Sequence, residues 1–316
     1  MPPPFAHRIT KYNPADRDER GHYHGAEDTV SDHGPVEAAY LEAIAAFAQE
    51  SGIDRLEIRE PEVTGFVAFG LEAPVDGHGL AGLFPADLTG YYDGAEVSVP
   101  VALELVRVML RDQGAWCRLE QQDRFTVHVG WDQYLYVASD RPCEADVARV
   151  RELGLFAEPI TTSPYAADLE EPEVTQAADE ELWEQVRAKL AVPQRLLLEE
   201  TYLANATRWH LLTESNLDAV RAVLGPRALL TVWPDLNPDV DAVLAELPQD
   251  ESADLVWEAL NGAIRHVTVD GPHHQQLATL LAGARAACCL PLALDARHPL
   301  FHVALPDSDG VLRARW

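Results

Sequence analysis

Four side chains able to hold a divalent cation, His22, His24, Asp28 and His33, fall in one short polar stretch. Imidazoles two residues apart with carboxylates nearby offer nitrogen and oxygen ligands to zinc or a similar ion. An ion held there would activate water, making the chain a metal-dependent hydrolase. The neighbours are glycine and charged residues, so the stretch also reads as a solvated loop, with Ser31 or Asp32 capping the helix that follows. A second constellation lies in "RFTVHVGWDQYLYVAS". Trp131, Tyr134 and Tyr136 would stack unpaired bases on an open sheet, with Arg118 and Arg124 for phosphates. The competing reading packs the tyrosines beneath a helix, as β-formers commonly do. On a strand Phe125, Val127 and Val129 share one face, Thr126 and His128 the other.

Other signals fail on context. "GHGLAG" (77–82) satisfies G-x-G-x-x-G, but "EAPVD" before it and "LFPADL" after it provide neither the strand nor the helix N-terminus that a pyrophosphate needs. The chain has no G-x-S-x-G elbow, no H-E-x-x-H and no P-loop. "HPLFHV" and "PHHQ" read as strand-edge and helix-start residues, and "DSDG" (307–310) as a turn without the glutamate of a calcium loop. Cys117, Cys143, Cys288 and Cys289 show neither a CxxC pair nor zinc spacing, which points to a reducing compartment. Cys288 and Cys289 read as small core residues. The N-terminus lacks the pattern of a signal peptide and no run is apolar enough to span a membrane, so a cytoplasmic protein is expected.

Charge narrows the partners. Fifty-two acidic residues face 24 basic ones, for a net charge of −28. Lys11 and Lys189 are the only lysines. Such a surplus repels polyanions and favours cationic surfaces, although a local arginine patch acts within a Debye length of about 8–10 Å.

The elements that must position these residues suggest an α+β protein of two domains. Each would be a mostly antiparallel or mixed sheet covered by helices. Residues 1–156 form the first, with a long polar loop at 13–33; 157–180 is an acidic, proline-containing linker; 181–316 form the second. In the first domain, strand "FAHRITKYN" precedes a helix begun by Pro35 and stopped by Gly52, with Val36, Tyr40, Ile44 and Phe47 at helical spacing. Strands "DRLEIRE" and "TGFVAFG" follow, then a helix over about 100–113. A meander of "AWCRLEQ", "RFTVHVG" and "QYLYVAS" comes next, then a helix over 142–154. The second domain reads as a helix over 179–191, strands "RLLLEET" and "TRWHLLT", a helix over 216–224 and strand "RALLTVWP". Helix "PDVDAVLAEL", a hairpin around Asn261-Gly262, a helix over 272–284 and strands "AACCLPLAL", "LFHVALP" and "VLRARW" complete it. Strand–helix–strand order at "HRITKY", "RWHLLT" and "RHVTVD" fits either an internal repeat of about sixty residues or the ordinary rhythm of α+β sheets.

The stretches "TKYNPADRDERGHYHGAEDTVSDHGPVEAAYLEAIAAFA" and "VHVGWDQYLYVASDRPCE" resemble a group of uncharacterised actinobacterial cytosolic proteins, some of which bear an automatic RNA-binding label. The resemblance implies RNA as a partner, yet the glycine-aromatic signature of an RNA-recognition sheet is missing and the charge opposes it.

Three readings follow. The first is a non-enzymatic binding or regulatory protein, without a cofactor, that docks a basic protein through its acidic surface. The alternative is an RNA or single-strand nucleic-acid-binding protein using Arg118, Arg124, Trp131, Tyr134 and Tyr136. The second alternative is the metal-dependent hydrolase using His22, His24, Asp28 and His33. None involves a membrane.

Overall fold

The structure is a computed structural model describing residues 2–25, 34–63, 79–130, 134–164, 176–191, 194–245, 252–269, 274–292 and 297–316. The fold is α+β, with seven α-helices and antiparallel sheets among these residues. They divide into two compact units: those up to Pro164 together with Arg315, and those from Gln176 onward without it.

The first unit is one seven-stranded sheet with helices on one face. Its elements are β1 (Phe5–Thr10), α1 (Pro35–Glu50), β2 (Arg55–Val63), β3 (Glu96–Ser98), α2 (Val99–Leu110), β4 (Ala115–Gln121), β5 (Phe125–Val129), β6 (Leu135–Ser139), α3 (Glu144–Glu152) and β7 (Phe156–Ile160). The strand order is β3-β2-β4-β5-β6-β1-β7. In α1, Tyr40, Ile44 and Phe47 are buried at their helical spacing. Burying a side chain of that size is worth about 1.5–3 kcal/mol. The helix stops as expected: Gly52 (φ 66°) donates to Gln49 O, and Ile53 to Ala48 O, a left-handed cap that Gly adopts without strain. Ile58, Leu119, Val127 and Val137 line the helix-facing side of the sheet.

The second unit comprises α4 (Glu180–Leu190), β8 (Leu196–Leu203), β9 (Ala206–Leu212), α5 (Leu217–Arg221), β10 (Leu229–Trp233), α6 (Val240–Ala245), β11 (Ala253–Glu258), β12 (Ile264–Val269), α7 (His274–Leu280), β13 (Ala286–Pro291) and β14 (Phe301–Ala304). The order α4-β8-β9-α5-β10 recurs as α6-β11-β12-α7-β13, corresponding elements starting 57 to 60 residues apart. In each copy the first strand is central, between its hairpin partner and the strand that returns after the helix; β14 adds to the first copy. Of the two expectations, the repeat therefore holds within this unit. It does not extend to β1-α1-β2, because β4, β5 and β6 separate β1 from β2. Three apolar clusters layer the unit. Trp183, Val186, Leu198 and Leu230 join α4 to the first sheet. Leu197, Trp233, Val256 and Leu290 lie between the sheets. Val243, Leu255, Trp257 and Leu277 place α6 and α7 on the outer side of the second.

Three details differ from the pattern read in the sequence. Phe156–Ile160, at the start of the expected linker, is the edge strand β7, where Pro159 is tolerated because an edge needs fewer ladder bonds. Glu96–Ser98, just before α2, forms β3, a strand the sequence pattern did not assign. "VLRARW" is not a strand: Arg313 folds back onto Asp307 and Asp309, both at 2.7 Å, closing the turn instead of extending a ladder. "TGFVAFG" lies outside the described residues, as do Ser31 and Asp32; α1 is capped by Gly34.

Candidate functional site

Strands with one apolar face have a second face to fill, and in the first unit charge fills it. Opposite the helices, Arg59 of β2 stands beside Arg118 of β4. His128 of β5 continues the row and stands beside Tyr136 of β6. Tyr136 neighbours Arg8 of β1, and Arg8 neighbours Glu158 of β7. Arg59, His128 and Tyr136 are buried, at 7, 2 and 4 % exposure, while Arg118, Arg8 and Glu158 are half-buried. Burying so many charges is tolerable only where each meets an opposite charge or a hydrogen bond.

A β-bulge between Arg59 and Glu62 supplies one such partner. Glu60 takes a left-handed conformation (φ 49°), and its N–H donates to Asp93 Oδ1 at 2.8 Å. The bulge thereby aims the Glu60 carboxylate at Arg118 Nη2, 2.7 Å away. Asp93 also faces Arg59 at 3.3 Å. Arg315 reaches both Glu120 oxygens at 3.2 and 2.9 Å. Burial alone would push the Glu120 carboxyl up, but His128 and Arg315 outweigh it and hold it at about 2. Arg8 and Arg17 flank the Tyr134 ring at 5.7 and 5.5 Å and share Glu158, at 2.6 and 3.6 Å.

His128 is also the centre of a line of three. Ser163 Oγ lies 3.1 Å from its Nδ1, and Glu120 Oε1 lies 3.8 Å from its Nε2, a charge contact too long for a hydrogen bond. Serine, histidine and carboxylate in line can activate a nucleophile. Here the carboxylate is engaged by Arg315 and Ser163 is 8 % exposed.

The residues named from the sequence are distributed unevenly. Arg118, Tyr134 and Tyr136 do share the charged face, but Tyr136 is buried and Arg118 is engaged by Glu60. Arg124 sits at the β4–β5 turn, donating to Gln121 Oε1 (2.8 Å) and Ser51 O (2.9 Å). Trp131 lies outside the described residues. His22 and His24 do come together, but over Asp18, at 3.6 and 3.1 Å, and both are exposed. Asp18 also accepts from the N–H groups of Arg20 and His22, which closes the turn, and the His24 hydrogen bond leads in holding its carboxyl below the usual range. Asp28 and His33 lie outside the described residues, among which no group of three His, Cys, Asp or Glu side chains is placed to hold a metal. Sequence reasoning missed Arg8, Arg17, Arg59, Glu60, Glu120, Ser163 and Arg315. The usable signal was alternation: "RLEIR" and "CRLE" put charge on every second residue, at Arg55, Glu57 and Arg59 and at Arg118 and Glu120.

The second unit carries a smaller network between its sheets. Glu199 accepts from Trp233 Nε1 at 3.0 Å, and Arg297 bridges Glu199 (3.6 Å) to Asp254 (3.2 Å). Burial pushes the Glu199 carboxyl up. It likewise pushes the Cys288 and Cys289 thiols up to about 12 and 11, so neither is a ready nucleophile.

One open groove lies in the first unit between α1 and α3, about 550 Å³ in volume. Glu42, Ala45, Ala46, Gln49 and Glu50 form one wall; Arg141, Asp146 and Arg149 form the other. No helix among the described residues is long and apolar enough to cross a membrane. No family model, curated protein or solved structure matches the chain.

Proposed function

We propose that the protein is a non-enzymatic binding or regulatory protein whose acidic surface docks a basic protein partner. The supporting observation is where its positive charge goes. At least eighteen of the 22 arginines lie within 4 Å of a carboxylate of the same chain. Some acids serve two arginines, but on the sheet face Arg8, Arg17, Arg59, Arg118 and Arg315 meet as many carboxylates, Glu57, Glu60, Asp93, Glu120 and Glu158, so these arginines do not add up to a positive groove. The surplus stays outside as carboxylate, for example at Glu144 and Glu152 of α3 and Glu181 and Glu184 of α4, all exposed. A surface of this kind attracts cationic partners and speeds their encounter, an effect that salt weakens.

Affinity capture from native lysate at 50 and 200 mM salt, with cross-linking to locate contacts, tests this. The expected result is a partner cross-linked through lysine- or arginine-rich segments and lost at the higher salt. Recovery of free protein alone at both salts would overturn the reading. A shift of labelled single-stranded RNA at 50 mM salt would replace it with nucleic-acid binding.

A further inference from the structure

We propose that the groove between α1 and α3 receives an arginine side chain of the basic partner, a proposal that rests on the reading above. On α1, Glu42, Ala45, Ala46, Gln49 and Glu50 recur at helical spacing and so form one stripe turned toward α3. Two alanines at its middle leave the hollow of about 550 Å³, a size that ordinarily accommodates a ligand group.

The charges lining the hollow are unevenly matched. Glu42 is taken by Arg149, and Arg141 is held by the main-chain carbonyl of Glu50 at 2.9 Å. No basic side chain lies within 4 Å of the Glu50 or Asp146 carboxylate among the described residues; Arg149, held by Glu42, acts on Asp146 only from farther away. Asp146 Oδ2 is shielded from water and accepts no hydrogen bond. Burial first, and then the neighbouring Glu50, push the Asp146 carboxyl up against the weaker pull of Arg149, so the site has room for a further cation. An arginine matches both features. Its methylene stem covers Ala45 and Ala46, and its planar fork addresses two carboxylates at once, which the point charge of lysine does less well.

The test uses the full chain and N-acetyl-arginine amide as probe, followed by amide NMR at 50 mM salt. Shifts are expected at Ala45, Ala46, Gln49 and Asp146. Binding should weaken at least tenfold in E50Q/D146N, and also in A46L, which fills the hollow without changing charge. It should persist in E181Q/E184Q, which loses the same charge from α4. Equal binding of N-acetyl-lysine amide would overturn the choice of arginine. Shifts spread over the acidic surface and unchanged in E50Q/D146N would overturn the groove while leaving the wider reading intact. Failure of even a tetra-arginine peptide to bind anywhere would overturn both.

Discussion

A carboxylate withdrawn from water destabilises the fold unless cations or donors replace its hydration, and Glu120 is a case where they do. Its carboxyl falls from an ordinary 4.5 to about 2. A folded value below the unfolded one means that the stabilisation is present above pH 4.5 and fades as pH falls toward 2. The size is on the order of 3 kcal/mol. Urea unfolding of wild type and E120Q should therefore show wild type the more stable at pH 6, with the gap reduced to about a quarter at pH 2.5, where a carboxyl near 2 is still mostly ionised in the folded chain. A gap that does not depend on pH would show that Glu120 acts by packing alone. None of this was legible locally. Glu120 meets Arg315 across 195 residues, a separation no spacing rule spans.

Elements declare themselves more openly than contacts do. Helix α1 announces its start with Pro35, its stop with Gly52 and its buried face with Tyr40, Ile44 and Phe47, because helical periodicity and caps are local. The bulge in β2 is a different matter. Glu60 holds φ 49° with no glycine to advertise it, kept there by Asp93 and Arg118. Strain of this kind costs a non-glycine residue about 1 kcal/mol. Both E60G and E60A delete the carboxylate, so their difference isolates the backbone. E60G should be the more stable by about 1 kcal/mol in thermal or urea unfolding. Equal stability would mean that the conformation is not strained.

For the molecule as a whole, the net charge of −28 sets a repulsion that no arrangement of ion pairs removes. Salt screens that repulsion over a Debye length of about 10 Å at 0.1 M, while the ion pairs buried on the first unit's sheet are screened much less. Raising sodium chloride from 20 to 300 mM should therefore raise the melting temperature. A fall would show that attraction in the ion pairs outweighs the net repulsion.

Composition by itself settled the excess of carboxylate, and periodicity settled most helices, the antiparallel meander of β4, β5 and β6 and the hairpin at Asn261-Gly262, since each depends on residues a few positions apart. Only tertiary structure decided what those charges meet. Alternation placed Arg8, Arg59, Arg118 and His128 on a polar face, but whether that face was wet or buried depended on segments distant in sequence. Burial turned the anticipated stacking surface into a braced interior, and packing of α1 against α3 made a groove from residues that were unremarkable in sequence.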